Sequence, residues 1–156
     1  MWACKDSGAR DTWSKAIATI DLTLQKLDTD PTIRHLILVY LNGWQTGTDI
    51  TYRPPRELEA VLREQTTIGW HHFFEGWLSK SWIEAQQTYY TKTKSHKTGR
   101  HWVVALIKKL WDTAWDIWEH KNEVLHECEN LVTRSMGLHF NRRVTRVFLD
   151  LCSHPL

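Results

Sequence analysis

A chain of 156 residues has the length of one ordinary domain and can bury about 70% of the surface that its unfolded form exposes. With 42% hydrophobic and 24% charged residues and a net charge of +2, it is neither a disordered nor a collagen-like chain, and its overall charge implies neither nucleic acid nor membrane as a partner. No apolar run reaches the roughly 18–20 residues of a membrane span; Met1 is followed by Trp2-Ala3-Cys4 with no charged leader region; and Cys4, Cys128 and Cys152 do not form a disulfide framework, so the expectation is an intracellular protein, nuclear or cytoplasmic.

The first element is an amphipathic helix over 12–27, on which Trp13, Ile17, Ile20, Leu24 and Leu27 recur at steps of four and three. Asp28-Thr29-Asp30-Pro31 supplies a stop and a new start, with Asp30 as N-cap and Pro31 in the first turn. Ile33, Leu36, Ile37, Tyr40, Leu41 and Trp44 continue as a second helix that Gly47 ends, so 1–45 reads as a helical hairpin and 46–55 as a loop.

From 56 to 136 the sequence predicts a tryptophan-rich helical core. A short helix over 56–65 turns Leu58, Val61 and Leu62 inward, and Thr66 or Thr67 caps a further helix carrying Ile68, Trp70, Phe73, Phe74, Trp77 and Leu78. Gly76 permits a bend before a section from Ser79 that carries Trp82, Ile83, Tyr89 and Tyr90. After an exposed polar loop over 91–99 comes the longest helical pattern, with Val104, Ile107, Trp111, Trp115, Trp118 and Leu125 on one inward stripe widened by Leu106, Leu110 and Ala114. A helix of that length, about 45 Å at 1.5 Å per residue, must break near Asn122 or project. Gly137 closes the region, and a last short helix falls over 141–151 within a C-terminal section 137–156. The expected fold is a single all-α domain over 1–156, an irregular bundle of six to seven helices with one long tryptophan-rich helix.

Charge is distributed in blocks. Between Ala85 and Trp111 there is no acid, against Lys92, Lys94, Lys97, Arg100, Lys108 and Lys109; from Asp112 to Glu129 six acids face Lys121 alone. A helix basic at its start and acidic at its end opposes its own macrodipole, so helix stability does not account for the pattern. The acidic stripe is either a solvated face or a dock for Arg142, Arg143 and Arg146. Lys92, Lys94, Lys97 and Arg100 beside Tyr89 and Trp102 combine cations for phosphate with rings for base stacking, the ingredients of an RNA or DNA surface.

Reactive constellations are incomplete. Glu123 and His126 form half of a di-iron carboxylate pattern and have no second half. His126 with Cys128, and Cys152 with His154, match no zinc-finger spacing, and His71-His72 stands alone. Without a phosphate loop or nucleophile elbow, the sequence predicts a non-catalytic protein with no cofactor, metal or small-molecule substrate.

The segments 68–90 and 102–127 resemble the helical, tryptophan-rich region that follows the polymerase in reverse-transcriptase polyproteins of non-LTR-type retroelements. Trp115, Trp118, Lys121 and Asn122 stand at that family's Trp-x-x-Trp-x-x-Arg/Lys-Asn pattern, with lysine for the commoner arginine and Glu123 where glycine is common. Trp2 to Asp6 resembles the end of the small finger preceding that region, with Cys4 at its last ligand, which implies a remnant of a truncated zinc finger. The polymerase's paired aspartates are absent from this sequence. Three readings follow: a retroelement-derived module binding RNA or DNA through the basic loop, a scaffold that self-associates or binds a protein partner through exposed aromatics, or a non-functional remnant.

Overall fold

The computed structural model describes residues 7–124. The expectations for Cys4, Leu125, the cysteine and histidine pairs at 126–128 and 152–154, Arg142, Arg143 and Arg146, Gly137 and the helix over 141–151 lie outside the described residues. The chain divides into two compact units, Met1–Trp118 and Glu119–Leu156. Of the second, 119–124 are described and helical.

The fold is all-α, with six helices and no strand among the described residues. They are α1 (Ser7–Lys26), α2 (Pro31–Thr46), α3 (Arg56–Ile68), a 3-10 helix (Trp70–Glu75), α4 (Lys80–Lys92) and α5 (99–124). None of the described helices is long and apolar enough to cross a membrane.

The α1–α2 hairpin forms as its capping residues dictate. Thr29 donates its backbone N–H to the Leu24 carbonyl and Asp28 to that of Gln25. This is a Schellman closure in which Asp28 takes the left-handed position, at φ 51°, that glycine usually fills. Asp30 then caps α2, its carboxylate accepting from the Thr32 N–H at 2.7 Å with Pro31 in the first turn, and Gly47 at φ 66° ends the helix. Ile20 and Leu24 of α1 and Ile33, Leu36, Ile37 and Leu41 of α2 are buried, as the spacing requires.

One boundary differs from expectation. Thr66 and Thr67 do not cap a new helix; both lie inside α3, where the Thr67 hydroxyl bonds back to the Arg63 carbonyl. Gly69, at φ 102°, makes the break, and the aromatic run 70–75 winds as a 3-10 helix that buries Trp70, Phe73 and Phe74. Gly76 supplies the bend at φ 86°. Ser79 caps α4 by accepting from the Ser81 N–H, and the hydroxyls of Ser79 and Ser81 both donate to the Glu64 carboxylate of α3.

Two buried glutamines that hydrophobic periodicity could not flag join the helices. The Gln65 side-chain oxygen accepts from the Ser79 N–H and the Trp82 indole, both at 3.1 Å, while its amide donates to the Trp77 carbonyl at 3.0 Å. The Gln86 amide donates to the Asp28 carbonyl at 3.1 Å and its oxygen accepts from the Asp30 N–H at 3.0 Å, which fastens α4 to the α1–α2 corner. Each satisfies polar groups that burial would otherwise leave costing about 1–3 kcal/mol apiece.

Candidate interaction surface

The corner between α1 and α2 determines what becomes of the basic loop. The Tyr90 hydroxyl donates to the Leu27 carbonyl, the Trp102 indole donates to Thr29 Oγ1 at 2.8 Å, and Lys97 Nζ reaches both the Lys26 carbonyl at 3.2 Å and the Asp28 carboxylate at 2.5 Å. Burial pushes the Tyr90 phenol above its ordinary pKa. The expectation that Trp102 stacks on a base is therefore corrected: at 1% exposure its ring has no free face.

Tyr89 is half-buried and, with Lys92, lines a cleft of about 520 Å³ between α2, α3 and α4 that also holds Asp30, Glu57 and Glu84. Three carboxylates against one lysine make that cleft unfavourable for phosphate. Lys94 and Arg100 are exposed. Of the six residues grouped by sequence as a nucleic-acid surface, the structure thus brings Lys97 and Trp102 to the structural corner, places Tyr89 and Lys92 in an acidic cleft, and leaves Lys94 and Arg100 on the surface.

The tryptophans of α5 are rearranged in a second way. The sequence places Val104, Trp111, Trp115 and Trp118 inward, but the buried stripe is Trp102, Leu106, Leu110 and Thr113, with Val103 beside it. At 100° per residue the two stripes lie about 155° apart on the helix, so burying one exposes the other. The rotation is set where α5 begins. Gly99 is pressed onto α4, its N–H donating to the Gln87 side chain at 2.8 Å, and a methyl group there would meet the Ile83 carbonyl at 2.3 Å. With Trp102 tied to Thr29 three residues later, the helix has one orientation available.

The result is a tryptophan face. Trp111, Trp115 and Trp118, at steps of four and three, are 56%, 60% and 51% exposed, and Val104 one turn-pair earlier is exposed with them. The Trp115 and Trp118 rings lie 4.9 Å apart. The Trp111 indole donates to the Glu75 carbonyl at 2.9 Å, beside Gly76, and Trp77 follows at 62% exposure with its ring stacked on His72. Lys121 and Asn122, the other two residues of the retroelement pattern, are exposed and half-buried respectively. The signal that could have located this face was present: α5 carries apolar residues on two sides, which a helix covered on one side only does not require.

Reactive chemistry is sparse around it. Among the described residues no three His, Cys, Asp or Glu side chains gather as a metal site. The ion pairs among them are Arg34–Asp21, His72–Glu75 and Lys97–Asp28.

Among the described residues, fold and surface together define an all-helical, tryptophan-rich protein with an exposed aromatic face. No known protein family, curated protein or solved structure matches the chain.

Proposed function

We propose that this chain is a non-catalytic association module that binds protein through the tryptophan face of α5. The observation carrying this reading is that Trp111, Trp115 and Trp118 of α5, and Trp77 in the connection before α4, are each more than half exposed, while Trp102, Leu106, Leu110 and Thr113 on the opposite side of α5 are buried. Four rings of about 150–250 Å² each, half exposed, leave roughly 300–600 Å² of aromatic surface, the size at which an apolar patch on a monomer marks an interaction site. Tryptophan is also the side chain most enriched among residues that dominate binding energy.

The nucleic-acid alternative has less support, because its stacking ring Trp102 is spent on the core and Lys97 on Asp28. The resemblance of Trp115, Trp118, Lys121 and Asn122 to the retroelement tail enters this reading as an account of origin, with an intracellular location. A photo-crosslinking phenylalanine analogue placed at Trp115 in the full chain tests it inside the cell. Protein adducts that vanish in a Trp111→Ser/Trp118→Ser background are expected. Adducts indifferent to those tryptophans, or nucleic-acid adducts formed from Lys94, would overturn it.

A further inference from the structure

We infer that the occupant of the tryptophan face is a second copy of this chain, with the two α5 helices packed antiparallel; this rests on the association reading above and specifies its partner. Two observations lead to it. The first is charge placement along the face. Upstream of Trp111, α5 carries Arg100, His101, Lys108 and Lys109 and no acid; from Trp111 to Trp118 it carries Asp112 and Asp116 and no base. This order opposes the helix macrodipole, so it is not explained by the stability of the isolated helix. Among the described residues, none of the ion pairs engages these side chains. An antiparallel pair lays the basic half of each helix along the acidic half of the other, whereas a parallel pair sets like against like.

The register follows from the same residues. Lys108 and Asp112 are both exposed and, one turn apart, lie on the same flank of the Trp111–Trp115 stripe. A twofold axis crossing α5 midway between them puts each copy's Lys108 beside the other's Asp112, with the two Trp111 residues near the centre. The contact is isologous: one patch serves both copies, and the interface closes at two.

The second observation is area. A stable interface covers about 800 Å² per partner, with an apolar centre and a polar rim. The tryptophans supply the centre, Val104 extends it, and Lys108 and Asp112 sit at its edge where charges set orientation more than affinity.

Sedimentation equilibrium of the full chain tests the inference. A dimer is expected, reduced to monomer by Trp115→Ser/Trp118→Ser with far-ultraviolet circular dichroism unchanged. Lys108→Asp and Asp112→Lys should each weaken dimerisation about tenfold or more, because each sets like charges together twice across the axis, while the double swap should restore it. A monomer at all concentrations, or a dimer indifferent to the tryptophans or not rescued by the double swap, would overturn the inference. A monomer that still gives tryptophan-dependent crosslinks to another protein would remove the self-pairing and leave the association reading standing.

Discussion

The indole of Trp102 donates to Thr29 Oγ1 at 2.8 Å across 73 positions of sequence, and both groups are buried. This bond joins the first turn of α5 to the α1–α2 corner, so it holds the helix in the rotation that leaves its other tryptophans outside. Thr29→Val leaves the indole N–H without a partner and should lower stability by about 1–3 kcal/mol. Trp102→Ala should cost about 3–5 kcal/mol through the void it opens. Because both act on one contact, the double substitution should fall short of the sum, as urea unfolding of the four proteins would show.

Gly99 controls the same rotation by proximity. A Cβ at 2.3 Å from the Ile83 carbonyl oxygen meets backbone, which cannot turn aside as a side chain can. Gly99→Ala should therefore destabilise the chain by about 1–3 kcal/mol, despite alanine's better helix propensity. An unchanged or raised urea midpoint would contradict the placement of α5 on α4.

How far the sequence revealed the molecule can be judged at these two residues. The α1–α2 hairpin was legible because local signals agreed: Asp30-Pro31 begins a helix, Gly47 ends one, and a single apolar stripe decides which side turns in. On α5 two apolar stripes compete, and the heavier one, with three tryptophans, takes the surface. The choice depends on Gly99 and Thr29, which contribute nothing to hydrophobic periodicity. The buried Gln65 and Gln86 escaped for the same reason: an amide is placed inside by the partners it finds there, and those partners come from other helices. The basic loop was legible as charge but not as a site, since only tertiary structure puts Asp28 against Lys97.

Titration should expose the corner at alkaline pH and a surface pair at acid pH. The Tyr90 phenol is buried and donates to the Leu27 carbonyl, so its pKa in the folded chain lies above the value of about 10 found in unfolded chains. Its stabilisation is complete below that unfolded value and is lost as pH rises through the folded one. Tyr40, also raised by burial, adds to the same limb. Tyr90→Phe should flatten this alkaline loss while lowering stability near neutrality by about 0.5–1.5 kcal/mol. On the acid side, hydrogen bonds from the Arg34 guanidinium hold the Asp21 carboxyl below its usual range. That contribution is present above about pH 4 and fades as pH falls through the folded value, and Arg34→Met should remove it. Unfolding curves recorded across pH check both limbs.

The sharpest contrast is between tryptophans of one type in two settings. Trp82 is fully buried and its indole is held by Gln65, so Trp82→Ala removes packing and a hydrogen bond together and should cost about 3–5 kcal/mol. Trp115 and Trp118 touch each other and are each more than half exposed, so Trp115→Ser/Trp118→Ser should change the stability of the monomer by no more than about 0.5–1 kcal/mol. Urea unfolding at dilutions where wild type and variants are monomeric isolates this difference from any contribution of association. If the Trp115 and Trp118 substitutions cost as much as Trp82→Ala under those conditions, the rings belong to a core and the tryptophan face is not a surface. If they are nearly neutral while abolishing association, the rings serve binding rather than folding, because removing buried aromatic surface without loss of stability is not physically available to a core residue.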